Sequence, residues 1–149
     1  MKRRDVLAAG AGLALLALAR PASATPEEMA AAIKVFTGGV TPKEGKVKFD
    51  IAQLIDNGNA VPVTVAVESE QRGADHVAAI AIFNEKNPQT DVAVFTLGPR
   101  AGKAEVSTRI RLATSQRLIA IARMGDGSYW SKSVDVIVTL AACIEGEAP

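Results

Sequence analysis

The stretch Val61-Pro62-Val63-Thr64-Val65-Ala66-Val67 has a valine at every odd position, and it follows a similar alternation in residues 46–51. Successive side chains of a β-strand point to opposite faces of its sheet, so the valines share one face. A period of two therefore predicts a strand with one buried side. Pro62 lacks an amide hydrogen, which favours an edge position or a strand start over a central one.

The same kind of signal returns along the rest of the chain. Further strand-like runs cover residues 76–83, 91–97, 104–112, 116–124 and 130–140, separated by turn signals such as Asp56-Asn57-Gly58-Asn59 and Gly125-Asp126-Gly127-Ser128. About seven short strands at regular spacing predict an all-β fold, an antiparallel sandwich of the immunoglobulin-like type, over residues 46–140. A small barrel is the alternative.

A short helix is predicted ahead of the strands, over residues 25–39. Thr25 suits the N-cap, Pro26 the first helical position, and Glu28 completes a capping box. Gly38 and Gly39 should end the helix. We expect it to cover one end or edge of a sheet.

Residues 1–24 read as an export signal and not as part of the fold. Lys2, Arg3 and Arg4 precede an apolar stretch over residues 6–19, and Ala22-Ser23-Ala24 is a cleavage signal. The apolar stretch is shorter than the ~20 residues of a membrane span. The sequence predicts cleavage after Ala24, a periplasmic location and no stable membrane anchor. The arginine pair resembles a twin-arginine signal; a general secretion signal and a retained anchor are the alternatives.

Composition excludes several functional classes. Without residues 1–24 the chain has 13 basic and 15 acidic residues, so its net charge is −2 and electrostatic binding of nucleic acid is not expected. One cysteine and one histidine allow neither an internal disulfide nor a four-ligand Cys/His zinc site. We expect no metal and no cofactor.

The single cysteine, Cys143, follows the last predicted strand. In that strand the inward set is Val134, Val136, Val138 and Leu140, and Cys143 has the parity of the outward set. We therefore expect the thiol on a terminal arm, residues 141–149, roughly 10 Å beyond the sheet. A buried structural thiol is the alternative, because free cysteine is often buried. Glu145 and Glu147 are expected to raise the pKa of the thiol.

Other candidate residues carry weaker signals. Arg109 and Arg111 share the outward face of their strand with Glu105 and Ser107, and they are candidates for guiding an anion, or form an ordinary solvated face. His76, at a strand entrance, is expected to be a turn or capping residue. Trp130 is expected to pack over the end of the sandwich, and the glycine-rich residues 98–102 should form a turn.

Several segments together resemble the SoxY family of thiosulfate-oxidation sulfur carriers. They are residues 97–112, Ala74-Asp75-His76-Val77, Asn84-Glu85-Lys86-Asn87-Pro88, Asp126-Gly127-Ser128-Tyr129-Trp130 and Val136-Ile137-Val138-Thr139-Leu140. The resemblance implies an immunoglobulin-like sandwich paired with a smaller SoxZ-like subunit. It also implies that a C-terminal arm presents a cysteine, here Cys143, on which sulfur intermediates are held. The glycines that flank this cysteine in the family are replaced by Ala141, Ala142, Ile144 and Glu145, as in a SoxY-related subgroup with an Ala-Ala-Cys-Ile-Glu arm.

The resulting hypothesis is a periplasmic carrier without catalytic activity of its own. It would act as a heterodimer with a SoxZ-like subunit and present its cargo on Cys143 to periplasmic sulfur-oxidising enzymes. Two other hypotheses remain open at this point. One is a protein-interaction module with an incidental cysteine, and the other is a single-cysteine thiol enzyme.

Overall fold

A computed structural model describes residues 24–140 of the chain. One helix precedes nine strands in this part. The elements are α1 (Pro26–Thr37), β1 (Lys43–Glu44), β2 (Val47–Asp50), β3 (Leu54–Ile55), β4 (Val61–Val67), β5 (Val77–Asn84), β6 (Asp91–Thr96), β7 (Glu105–Ile110), β8 (Gln116–Met124) and β9 (Tyr129–Val138). Over residues 24–140, no helix combines the length and the apolar character needed to span a bilayer.

The strands form the two sheets of an immunoglobulin-like sandwich, which confirms the predicted fold class. The larger sheet has the order β1-β9-β8-β5-β6, with β3 also paired to β9, and the smaller sheet has the order β2-β4-β7. Pro62 lies in the central strand of the smaller sheet, but β2 pairs only with Thr64 to Val67. Pro62 therefore pairs with Arg109 of β7 and faces no residue of β2, so its missing amide hydrogen interrupts no bond between β4 and β2.

Alternation along the strands builds the core between the sheets. Val61, Val63, Val65 and Val67 of β4 are all buried, and so are Ile80 and Ile82 of β5. Leu112, Leu118 and Val136 complete this cluster from neighbouring elements. The outward residues of β2 and β7, such as Lys48, Glu105 and Arg109, are polar and exposed, so the smaller sheet has one buried and one solvated side.

Helix α1 begins and ends as its sequence predicts. The Thr25 hydroxyl accepts from the Glu28 amide at 3.2 Å, and the Glu28 carboxylate accepts from the Thr25 amide at 3.0 Å. Gly38 ends the helix in the left-handed conformation, with φ of 63°. Both caps therefore satisfy backbone groups that the helix itself leaves unpaired.

The location of α1 corrects one expectation. The helix lies on the outer face of the larger sheet, not at its end or edge, and Met29 joins Ala81, Phe83 and Ile121 in a second buried cluster. Phe36 packs edge-on against Phe83 at a ring separation of 5.8 Å. This second cluster explains why β5 is buried on both faces.

The structure also corrects the predicted number of strands and the predicted end of the last strand. β1 and β3 were not predicted, because two residues are too short to show a period, and both pair with β9 in parallel. The last strand ends at Val138 and not at Leu140. Leu140 is 62% exposed, so it does not belong to the inward set, while Val136 does. β9 therefore ends five residues before Cys143, and alternation along this strand does not determine the direction of the Cys143 side chain.

Candidate functional site

The chain leaves the sandwich through a hydrogen-bonded segment that we call the arm base, Thr139 and Leu140. The Thr139 amide donates to the Ile55 carbonyl at 2.9 Å, and the Leu140 amide donates to the Asp56 carbonyl at 3.2 Å. The Leu140 carbonyl accepts from the Gly58 amide at 2.9 Å. Three backbone bonds therefore fix the point from which residues 141–149 depart.

The turn after β3 supplies these partners. The Asn57 side-chain oxygen accepts from the Asn59 amide at 2.9 Å and from its side-chain nitrogen at 3.0 Å, which closes an Asx turn. Gly58, at the tip, is buried, and its carbonyl accepts from the Leu112 amide at 2.8 Å. The arm base is thus tied through Gly58 to the end of the smaller sheet.

Asn87 joins the loops at the same end of the sandwich. Its side-chain nitrogen donates to the Arg111 carbonyl at 2.7 Å. Its side-chain oxygen accepts from the Ala113 amide and from the Gln116 side chain, both at 2.9 Å. One asparagine therefore links the loop after β5 to the loop after β7.

Two buried side chains extend this network. Asn84 accepts from the Asn87 amide at 2.8 Å and donates to the Gln89 carbonyl at 2.7 Å, while Gln116 accepts from the Lys86 amide at 3.0 Å. Buried polar groups that find their partners hold a loop in one conformation. We call Asn84, Asn87 and Gln116 the amide hub; it stiffens the end of the sandwich that carries the arm base.

Arg109 and Arg111 lie at the same end of the sandwich as the arm base, near the start of β4. Both are exposed and line a cleft of about 360 Å³ between the edges of β6 and β7, together with Asp91 and Asn87. Within residues 24–140 neither guanidinium has an ion-pair partner. The Arg111 backbone is linked to the arm base through Leu112 and Gly58. The cleft therefore holds two arginines and the Asp91 carboxylate at the same end of the sandwich as the arm base, but along β6, at the far edge of the larger sheet from β3 and β9.

A second feature of this end is the ion pair beside the arm base. Arg117 Nε lies 3.0 Å from the Asp135 carboxylate, and this hydrogen bond raises the pKa of the guanidinium. Asp135 is two residues before Ile137, on the outer face of β9. Both charges are exposed, so we expect them to contribute little to stability.

Cys143 and its neighbours Ala141, Ala142, Ile144 and Glu145 lie outside the described residues. The structure brings Arg109 and Arg111 to the end of the sandwich that carries the arm base. It places the other candidate, His76, at the opposite end, beside Gly125 and the start of β9. A ten-residue strand spans roughly 30 Å, so His76 is out of reach of a thiol three residues beyond Leu140.

His76 has the structural role that its position predicts. It caps the short 3₁₀ turn at Gly73–Asp75, and its Nδ1 lies 2.5 Å from the Gly73 carbonyl. Trp130 packs against the core, and the ammonium groups of Lys43 and Lys46 lie 5.8 and 5.5 Å from its ring centroid. Over residues 24–140 no three His, Cys, Asp or Glu side chains come together as a metal site.

The sequence did not predict the amide hub or the three backbone hydrogen bonds that hold the arm base. The run Asn84-Glu85-Lys86-Asn87-Pro88 is visible there, but only as part of a family resemblance. Asn87 of this run links the two loops by bonding to Arg111 and Gln116, which are more than 20 residues away. No period or local motif connects positions at that separation.

Comparison with known proteins agrees with this architecture. Residues 33–143 match the model of the family "Sulfur oxidation protein SoxY", and the last matched residue is Cys143. The sulfur carrier protein SoxY from Chlorobium limicola f thiosulfatophilum is 30% identical, with a TM-score of 0.64 over 78% of this chain and all of that one. A search of curated proteins found no significant match.

Other solved structures share the fold alone. The superoxide reductase (neelaredoxin) from Ignicoccus hospitalis is 14% identical, with a TM-score of 0.56 over 78% of this chain and 95% of that one. The superoxide reductase from Nanoarchaeum equitans is 15% identical, with a TM-score of 0.53 over 64% of this chain and all of that one. Since the family model covers most of the sequence and the SoxY structure is covered in full, the chain belongs to the SoxY family of sulfur oxidation proteins.

Proposed function

We propose that this protein is a periplasmic sulfur carrier that holds a sulfur intermediate covalently on Cys143. One observation carries the proposal: the chain leaves a stiffened end of the sandwich at Leu140, and the sequence's only cysteine follows three residues later. Membership of the SoxY family and the likeness to a sulfur carrier protein support it.

The cargo would be held by a bond between the Cys143 sulfur and the outer sulfur atom of a sulfur oxyanion. Forming this bond from the thiol releases one proton and two electrons, and a separate periplasmic redox enzyme would have to accept the electrons. A thiol on a short arm suits this task, because its attached group can enter the active site of another protein. The negative charges of Glu145 and Glu147 disfavour the thiolate form of Cys143. Positive charge that favours the thiolate would therefore have to come from outside the arm. Arg109 and Arg111 supply positive charge on the sandwich, and we propose that they guide an anionic donor toward the arm.

The carrier would have no catalytic activity of its own. A smaller SoxZ-like subunit would form the heterodimer, and separate periplasmic sulfur-oxidising enzymes would load and process the cargo. The distance between His76 and the arm base supports a carrier without catalytic activity. It leaves the single histidine of the sequence too far from Cys143 to act as its general base.

The residues of the arm restrict the shape and charge of the active-site channels that could receive it. Alanine at 141 and 142 and isoleucine at 144 restrict the backbone more than glycine does. An active-site channel that receives this arm would need room for Ile144 and would have to tolerate the charge of Glu145.

Export through the twin-arginine route would place the carrier in the periplasm, with cleavage after Ala24. The cleaved chain would begin at Thr25, whose nitrogen already lies 3.0 Å from the Glu28 carboxylate. The new ammonium group would then meet a negative charge at the helix start. Ala24, which is buried and donates to the Asn87 carbonyl at 3.1 Å, would be lost with the leader.

Replacement of the thiol tests the function in the cell. We expect Cys143→Ser, expressed in the native host in place of the natural protein, to abolish oxidation of thiosulfate. Ser133→Ala, on the exposed outer face of β9, is the control and should leave oxidation unchanged. Full oxidation with Cys143→Ser would overturn the carrier proposal and favour an interaction module.

A further inference from the structure

Three large apolar side chains are exposed around the arm base. Leu54 and Ile137 are each 61% exposed, and Leu140 is 62% exposed. Leu54 and Ile137 are register partners in the parallel pair of β3 and β9, and the Leu140 amide is bonded to Asp56 at the end of β3. We call these three residues the arm-base patch.

The patch is not explained by a general excess of exposed apolar residues. The other large apolar side chains that are strongly exposed within residues 24–140 are Val35, Val40 and Val94. Val35 and Val40 belong to the region of α1, and Val94 lies on β6, at the far edge of the larger sheet from β3. Only the arm base gathers three of them.

Charged groups border the patch. The Arg117–Asp135 ion pair lies next to Ile137 along the outer face of the sheet, and Asp56 follows β3. An apolar centre with a polar rim is the arrangement of protein–protein interfaces.

The length of the arm specifies which protein would cover this surface. Three residues separate Leu140 from Cys143, and a fully extended chain spans about 3.3 Å per residue, so the two α-carbons are at most roughly 10 Å apart. A protein that takes the Cys143 sulfur into an active site must therefore approach Leu140 to within that distance. Leu54 and Ile137 lie next to Leu140 through the pairing of β3 with β9, so they are the apolar surface that such a protein would meet when it approaches from their side.

We propose that the arm-base patch is the docking surface for the enzymes that act on Cys143. This inference rests on the proposed carrier function and deepens it. The partner would be an enzyme whose active-site channel opens in an apolar collar with a polar rim. A permanently bound subunit on the same surface would block the channel from the arm, so the smaller subunit would bind elsewhere.

The experiment compares cargo transfer in four proteins purified with their bound subunit from the native host. They are the natural protein, Leu54→Ser, Ile137→Ser and the control Val94→Ser, which removes an exposed valine far from the arm base. Each is incubated with periplasmic extract of the host grown on thiosulfate, and intact mass follows the loss of cargo from Cys143. Release by dithiothreitol serves as an enzyme-independent reference.

We expect Leu54→Ser and Ile137→Ser to slow enzymatic transfer about tenfold, since each removes an apolar side chain from the centre of an interface. Val94→Ser should transfer within about twofold of the natural protein. Release by dithiothreitol should be the same in all four, because the thiol itself is untouched.

Three other results would overturn the inference. Natural transfer rates in both patch variants would show that enzymes dock elsewhere, with the carrier function intact. Loss of the bound subunit from the patch variants would identify the surface as the subunit interface. Absence of any cargo on Cys143 in all four proteins would overturn the carrier function and the docking surface together.

Discussion

The amide of Gly58 donates to the carbonyl of Leu140 at 2.9 Å, and the carbonyl of Gly58 accepts from the Leu112 amide. A single buried residue thus connects the last described position of the chain to the end of the smaller sheet. Because both sheets hold the arm base, the arm departs from a fixed point. The proposed carrier needs this, since a short arm can deliver its cargo accurately only when its origin is rigid.

The amide hub should account for much of the order at this end. Asn87→Ala removes one donor and an oxygen that accepts twice, so the Ala113 amide and the Gln116 side chain lose a partner. We expect it to lower the free energy of unfolding by about 2–3 kcal/mol. Urea denaturation measures the change.

Asn59→Ala is the matched control for that variant, because Asn59 is exposed and, within residues 24–140, its side chain bonds to Asn57 alone. We expect a cost below about 1 kcal/mol from this control. Equal costs for the two asparagines would contradict the account of the hub.

Position 125 requires glycine because the His76 ring lies too close for any larger side chain. A Cβ at this position would lie 2.1 and 2.2 Å from two atoms of the His76 ring, and the ring is held by the Gly73 carbonyl. We expect Gly125→Ala to destabilise the protein by about 1–3 kcal/mol. Thermal unfolding should show a lower Tm.

The double variant provides the check on this explanation. His76→Ala removes the ring that the new methyl group would strike, so Gly125→Ala should cost much less in that background. Equal costs in both backgrounds would show that the contact with His76 is not the cause.

Asp75 gives stability a defined dependence on pH. Its carboxylate accepts from the Glu70 amide at 2.8 Å and lies 3.2 Å from the Lys46 ammonium, and these contacts hold its pKa below the ordinary value of 3.8. A carboxyl group with a lowered pKa stabilises the folded state fully above its ordinary pKa, and this contribution is lost as the pH falls through the lowered value.

We therefore expect Asp75→Asn to be less stable than the natural protein at neutral pH. The difference should begin to shrink near pH 4, where the carboxylate of the unfolded chain becomes protonated, and should vanish as the pH falls through the lowered pKa of the folded state. Urea denaturation over this pH range measures the difference. A constant difference at every pH would contradict the assignment.

The cleft arginines should affect anions selectively. Both guanidiniums are exposed to water, so each arginine should change the rate of an anionic reagent by no more than about twofold. We expect Arg109→Gln and Arg111→Gln to slow the reaction of Cys143 with dianionic dithionitrobenzoate and to leave its reaction with neutral iodoacetamide unchanged.

Arg100→Gln is the control for this effect, since Arg100 lies in the loop between β6 and β7 at the opposite end of the sandwich. The selective effect should also fade at high salt. Equal slowing of both reagents, or the same selectivity in Arg100→Gln, would rule out guidance by the cleft.

The strands and the helix could be predicted because their signals are local. The valines of β4 and the capping box at Thr25 each lie within one short segment, and the structure has both where the pattern indicates. The face of the sheet that α1 covers could not be predicted. It depends on the outward residues of β5 and β8, such as Phe83 and Ile121, whose apolar character allows burial on either side.

The candidate site was predicted only in part. The outward register of Arg109 follows from alternation along β7, and the structure confirms it; Arg111, one residue beyond this strand, is also exposed. The end of β9 did not follow from alternation, because Leu140 continues the apolar pattern yet is exposed. Hydrogen bonds to Asp56 and Gly58, more than 80 residues earlier, draw the chain out of register there, and no local pattern encodes them.

The central claim is that Cys143 carries sulfur, and the intact mass of the protein tests it most directly. The protein would be purified from its native host grown on thiosulfate and measured with and without reductant, with the mass increment located by peptide mapping. The account predicts one or more sulfur-containing increments on Cys143 that disappear with reductant. A homogeneous, unmodified and alkylation-resistant Cys143 under every growth condition would contradict it.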